Sequence, residues 1–174
     1  METLLIILGA IVALIIVAGL LMNKEMVIEK KIVINKPAQE VFNYIKHIKN
    51  HDHFSKWIMM DPSMQKTYTG TDGQVGFIYS WDSTNKNVGA GEQEIIGIEE
   101  GLAIDFALRF KRPMEQSAKA VMRVTQQADG TLVMWGFYGK SAFPMVLLKS
   151  VFQKMLGKDL QISLGNLKKI LEQG

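Results

Sequence analysis

Residues 101–140 read "GLAIDFALRFKRPMEQSAKAVMRVTQQADGTLVMWGFYGK", and the pattern of this stretch decides the fold. Within it, Ile104, Phe106, Leu108 and Phe110 alternate with Asp105, Ala107, Arg109 and Lys111. Period two of this kind predicts a strand with one apolar face and one wet face. "SAKAVMRVTQQ" and "TLVMWGFYGK" continue as strands, with turns at Pro113 and at Asp129-Gly130. An Asp-Gly pair between two such runs signals a hairpin. The result is an antiparallel meander whose greasy face needs a cover.

The cover lies downstream. From about Met145 to Glu172, Leu148, Phe152, Leu156, Leu160, Leu164, Leu167 and Leu171 recur in steps of three or four, the spacing of one long amphipathic helix. Upstream, "EMVIEKKIVI" (25–34) alternates as a strand, and Pro37 opens a short helix striped by Val41, Phe42, Ile45 and Ile48. "VGFIYSWDS" sets Phe77, Tyr79 and Trp81 against Ile78, Ser80 and Asp82. Gly89-x-Gly91 has neither a P-loop lysine nor a dinucleotide fingerprint beside it, so it reads as a hairpin connection. Strand, short helix, meander and long helix together make an α+β plan.

The N-terminus stands apart. Leu4–Met22 is nineteen residues without a polar side chain, nearly enough to cross a ~30 Å hydrocarbon layer. The leader holds Glu2 and no basic residue, and Val17-Ala18-Gly19 is a weak cleavage site. The expected reading is an uncleaved anchor over residues 1–24 with a soluble domain over 25–174. A cleaved signal peptide and a buried soluble helix are the alternatives. Lys24, Lys30, Lys31 and Lys36 follow the apolar run, so the positive-inside tendency places the domain in the cytoplasm on a single-pass chain. The net charge of +3 is spread without a basic arm, which leaves nucleic acid no footprint. With no cysteine in the chain, disulfides, thiolate metal sites and a cysteine nucleophile are excluded.

Several phrases carry a resemblance: "IVINKPAQEVFNYI", "FSKWIMMDP", "VGFIYSW", "GAGEQEIIGIEEGLAIDF", "DGTLVMWGFYG" and "GKDLQISLGNLKKILE". In this order they resemble the START-related (SRPBCC) superfamily of helix-grip proteins, which includes lipid-transfer domains and polyketide cyclase/dehydrase-like proteins. The resemblance covers about residues 26–172. It implies a curved antiparallel sheet of six or seven strands gripping the C-terminal helix, with a cavity between them. Strand parity then nominates the lining. Phe77, Tyr79 and Trp81 come from one strand, Gln93 and Ile95 from the next. Phe106, Leu108, Met122, Trp135 and Phe137 come from the meander, and Leu148, Phe152 and Leu156 from the helix. In "FSKWIMM", Trp57 and Met59 with Phe54, Ile58 and Met60 would wall one side.

All three histidines, His47, His51 and His53, lie between residues 47 and 53. His47 and His51 have the i, i+4 spacing of a helical metal pair, but Lys49-Asn50 reads as a helix end that splays them. The expectation is exposed histidines that bind nothing; a metal site, or a rim role tuned by protonation, is the alternative. No metal or cofactor is expected. The expected function is a membrane-tethered binding domain for a lipid or other hydrophobic small molecule. Two alternatives belong to other classes. One is a protein-interaction or stress-response module, whose protein partner the sequence does not name. The other is a cyclase/dehydrase-like enzyme drawing on Tyr79, Tyr138, Glu94, Asp82 or Arg109. None of these residues forms a recognisable catalytic set, so no catalytic residue is assigned.

Overall fold

A computed structural model describes residues 1–141 and 143–173. Seven strands, β1 (Glu25–Ile34), β2 (Gln65–Thr69), β3 (Ile78–Asp82), β4 (Ala90–Glu99), β5 (Ala103–Arg112), β6 (Gln116–Gln127) and β7 (Gly130–Lys140), form one antiparallel sheet. Their order is β1-β7-β6-β5-β4-β3-β2. The helices are α1 (Glu2–Leu21), α2 (Ala38–Ile45), the single turns α3 (His51–Phe54) and α4 (Lys56–Met59), and α5 (Lys149–Gln173). This is the α+β helix-grip arrangement, with α5 lying along the inner face of the sheet.

The alternation in the quoted stretch sets that face. Ile104 and Phe106 are buried, whereas Arg109 and Lys111 are exposed. On the outer face Arg109 is ion-paired with Glu94, and Lys111 with Glu92. A register shift between Ile95 and Gly97 turns both Ile95 and Ile98 inward and leaves Ile96 in solvent, as a bulge does. The β6–β7 hairpin differs from the expected Asp-Gly turn by one residue. Gln127 pairs with Gly130, so Ala128 and Asp129 form the loop, and neither takes positive φ. Glycine is required at 130 for a different reason: its φ is +130°, and a Cβ there would meet the Ile34 carbonyl oxygen at 2.3 Å.

Helix α5 approaches β1 through Gly157, where a Cβ would lie 3.0 Å from Lys30 Cε and 3.6 Å from Ile28 Cγ2. Its second half supplies Leu160, Leu164, Leu167 and Leu171 to the core. These pack with Phe42 and Ile45 of α2, Phe54 of α3 and Phe106 and Met122 of the sheet. At about 1.5–3 kcal/mol for each fully buried large apolar side chain, this end of the grip holds the fold. A polar latch ties the small helices to α5. Lys56 is ion-paired with Asp159, the Lys56 amide donates to Ser163 Oγ at 2.9 Å, and Asn166 Nδ2 donates to the Phe54 carbonyl at 3.3 Å.

Candidate ligand cavity

Where the second half of α5 meets the sheet the interior is solid; where the first half does, it is open. A cavity of about 390 Å³ lies there, within the range typical of small-molecule sites. The sheet contributes Tyr79, Trp81, Gln93, Leu108, Trp135 and Phe137, and α5 contributes Phe152, Leu156 and Leu160. Trp57 and Ile58 of α4 close one side, while Arg112, Pro113 and Met114 of the β5–β6 turn stand at the mouth with Met145 and Met155. The wall is therefore mostly apolar, with few polar groups.

An aromatic row stiffens the sheet side. Tyr68, Tyr79 and Trp81 stack with centroid distances of 5.7 and 5.8 Å, and Phe110 meets Trp81 edge-on at 6.0 Å. Such pairs add about 0.5–1.5 kcal/mol each to their burial. Trp81 lies over Gly91, where a Cβ would fall 2.6 Å from its ring, and Trp81 Nε1 donates to the Val88 carbonyl at 3.3 Å. Gly91 thus serves as a seat for the indole.

Three polar features border this space. Arg112 is held at the rim by Asp82 and by the Ser83 carbonyl. Gln93 is half-buried in the wall. Tyr79 is 2% exposed, and its hydroxyl has no hydrogen-bond partner among the described residues. Burial, reinforced by the nearby Asp52 carboxylate and Tyr68, pushes its pKa far above the ordinary tyrosine value, so it stays a donor. Of the other acid–base candidates, Asp82 stands at the rim in its pair with Arg112, and the rest lie elsewhere. Glu94 and Arg109 pair with each other on the outer face. Tyr138 donates to Glu29 Oε1 at 2.6 Å, and burial together with that bond pushes its pKa up to about 12.

Ten of the sequence-nominated residues line the cavity: Trp57, Ile58, Tyr79, Trp81, Gln93, Leu108, Trp135, Phe137, Phe152 and Leu156. Eight do not. Phe54 is buried in the core, and Met60 is half-buried away from the lining. Phe77, Ile95, Phe106 and Met122 face inward as parity requires, but they are consumed by core packing. Met59, on the single turn α4, and Leu148, in the 3₁₀ turn ahead of α5, are exposed. The sequence reading missed Met26, Met64, Met114, Met145 and Met155. Their only signal was the abundance of methionine itself, eleven residues in the chain, a side chain that fills irregular apolar space.

The histidines divide differently from the expectation. His53 is exposed, and His47 Nδ1 lies at the surface 3.6 Å from Asp72 Oδ2. His51, however, is 1% exposed. Its ring packs on Phe54, Phe106 and Trp135 at 4.9, 5.8 and 6.1 Å, and Nε2 reaches the Ile45 carbonyl at 2.9 Å. The physical reason is a tight 3₁₀ turn at Ile48–Asn50, which stands between α2 and His51 and brings the ring back to the Ile45 carbonyl at the end of α2. Among the described residues no group of three His, Asp or Glu side chains converges as a metal site.

The wider comparisons agree with this geometry. The model of the family described as polyketide cyclase/dehydrase and lipid transport matches residues 26–172. No curated protein matches the chain in sequence. Among solved structures, the chain is similar to the di-domain ARO/CYC StfQ from the steffimycin biosynthetic pathway, with TM-score 0.68 and 10% identity, over 86% of this chain and 52% of that one. It is also similar to protein MLL2253 from Mesorhizobium loti, with TM-score 0.62 and 11% identity over 84% and 97% of the two chains. The Aha1 dimer from Colwellia psychrerythraea follows at TM-score 0.59 and 11% identity, over 84% and 96%. At these identities the likenesses speak for the fold alone. The family match, the seven-stranded sheet and the long C-terminal helix together make this chain a member of the polyketide cyclase/dehydrase and lipid transport family, within the START-related superfamily.

Proposed function

We propose that the chain is a membrane-tethered carrier or receptor that holds a hydrophobic small molecule in the cavity over α5. The observation that carries this reading is the apolar cavity itself, walled on opposite sides by the sheet and by a helix with half-buried Phe152 and Leu156. Helix α1 supports the tether: it is long and apolar enough to cross a membrane, with mean hydropathy 3.2. In this reading residues 1–24 are the anchor, residues 25–174 are the binding domain, and the lysines after α1 hold the domain on the cytoplasmic side.

Size narrows the ligand. At ~30 Å³ for each water's share of liquid volume, the cavity has room for on the order of a dozen non-hydrogen atoms. That suits one alkyl chain or a compact ring system. The unpartnered Tyr79 hydroxyl favours a ligand with an acceptor oxygen. Catalysis has less support, since Tyr79 is the one candidate acid–base group whose side chain lines the space.

The test is solvent extraction and mass analysis of the full chain, released from cell membranes in polymer-bounded discs and compared with Leu108→Trp. The larger side chain fills the cavity without touching α1. An apolar molecule enriched with the wild type and lost in Leu108→Trp is the expected result. Equal extracts from the two proteins would overturn the reading.

A further inference from the structure

Among the described residues, six of the fifteen large apolar side chains exposed C-terminal to α1 are gathered near the mouth of the cavity, while the other nine are scattered. Leu147 and Leu148 of the 3₁₀ turn Met145–Leu148 and Val151 and Met155 of the first turns of α5 form a stripe, with Val151 62% and Leu148 and Met155 each 52% exposed. Phe143 lies beside the stripe, and Met114 is exposed on the β5–β6 turn opposite. Met114 and Met155 also line the cavity, so the same side chains belong to the patch and to the opening. Monomeric soluble surfaces rarely concentrate apolar groups in this way unless something covers them.

A second set of contacts says what covers them. Gly19 of α1 is buried against the patch: a Cβ there would meet Phe143 Cδ2 at 2.9 Å and Leu147 Cδ2 at 3.2 Å. The stem is bound in place as well. Lys149 Nζ donates to the carbonyls of Asn23 and Glu25 at 2.7 and 3.2 Å, and the Ser141 amide donates to the Lys24 carbonyl at 2.7 Å. Gly19 precedes the last residue of α1, Leu21, by two positions, a rise of about 3 Å. Phe143 and Leu147 therefore touch α1 at a depth where its own surface is hydrocarbon. Lys24 and Lys140 stand where α1 joins the sheet, with Glu25 across from Lys140.

We infer that Phe143, Leu147, Leu148, Val151 and Met155 are immersed in the leaflet from which α1 emerges, so that the cavity opens into the bilayer and its ligand passes between lipid and protein without crossing water. This inference rests on the proposed reading of α1 as a span and of the cavity as a ligand site. It adds a route and an interaction surface, and its occupant is the lipid leaflet rather than a protein.

The absence of cysteine makes the test direct. Single-cysteine variants of the full chain, Val151→Cys and Met155→Cys, are labelled with an environment-sensitive fluorophore in phosphatidylcholine–phosphatidylglycerol nanodiscs. Leu8→Cys in α1 and Ala128→Cys at the distant β6–β7 turn serve as references. Labels at 151 and 155 are expected to behave like the one at 8: blue-shifted, quenched by nitroxide on the acyl chains and insensitive to iodide. Iodide quenching at 151 equal to that at 128, with the label at 8 still lipid-quenched, would overturn the inference and leave the anchor intact. Iodide quenching at 8 would overturn the anchor reading and the inference with it. Shielding of 151 from both quenchers would identify a protein cover and also overturn it. In a second readout, the double variant Leu148→Asp, Val151→Asp should slow uptake of a fluorescent fatty acid from donor bilayers by roughly tenfold, the effect of about 1.4 kcal/mol on the barrier. Unchanged uptake speaks against the route, whereas loss of the extracted ligand itself would point instead to the binding site.

Discussion

Acidification should destabilise this domain through His51. Its ring is enclosed by Phe54, Phe106 and Trp135 and bonded to the Ile45 carbonyl, and burial lowers its pKa from the ordinary histidine value. The bond to Ile45 and the carboxylates of Asp72 and Asp52 oppose that shift without cancelling it. Asp52 is itself paired with Lys66, and Asp72 accepts the Ile48 amide. A depressed native pKa means that the unfolded chain binds the proton first, so stability rises with pH through this window. The contribution is complete above about pH 6.5, the unfolded histidine value, and is lost as pH falls below it at ~1.4 kcal/mol per unit until the native pKa is reached. Each pH unit between those two values removes ~1.4 kcal/mol, or roughly 3–6 °C in thermal midpoint for a chain of this size. The assay is a series of thermal melts of the full chain in nanodiscs, followed by tryptophan fluorescence, for wild type and His51→Phe. The variant forfeits the Ile45 bond, about 1 kcal/mol, and should melt lower at neutral pH but with a flat profile. His47→Gln and His53→Gln should keep the wild-type slope. The same decline in His51→Phe as in wild type would refute the reasoning.

Gly91→Ala should cost about 1–3 kcal/mol, because its Cβ would stand 2.7 Å from the Arg109 carbonyl oxygen and 2.6 Å from Trp81; a lowered thermal midpoint with a shifted Trp81 emission is the signature. Tyr79→Phe should leave the empty protein as stable or slightly more so, since it removes an unpartnered buried hydroxyl, while weakening ligand retention by about tenfold, measured by extraction yield. Asp159→Ala should destabilise by about 1–3 kcal/mol in melts near neutral pH, because it severs the ion pair holding Lys56 and the small helices to α5. Arg109→Ala, which breaks the outer-face pairs with Glu92 and Glu94, should change the midpoint by less than about 1 kcal/mol and leave ligand content untouched.

The face of each strand was legible because period two admits only two choices, and Ile104, Phe106, Leu108 and Phe110 chose together. Position along that face was not. Phe106 and Leu108 point the same way, yet the first is buried beneath His51 and the second borders the cavity. What separates them is where α5 diverges from the sheet, and that depends on Gly157 meeting Lys30 and Ile28 across a long sequence separation. The histidine cluster failed for a similar reason. A reading of "HIKNHDHF" as a helix end sees polarity, whereas the 3₁₀ turn that brings His51 back to the end of α2 is fixed by Asp72 accepting the Ile48 amide from a distant loop. Leu148 shows the limit of periodicity: it continues the leucine repeat, but it lies in the 3₁₀ turn Met145–Leu148, before the α-helical phase begins.

The pairing of β1 with β7 has a consequence for synthesis. The first strand of the chain finds its sheet neighbour in the last: Ile28 lies across from Phe137 and Glu25 across from Lys140. While the ribosome is still making the meander, β1 waits at the foot of α1 with both of its edges open. Closing a loop of about a hundred residues costs roughly 4 kcal/mol of chain entropy before any contact repays it, so the domain gains stability late and in one step. During that interval "EKK" at Glu29–Lys31 keeps the strand charged in its middle and a poor template for foreign strands. A nascent chain stopped before Gly130 would therefore remain fastened at its N-terminus but without a fold, and quality control would meet it as an unfinished strand.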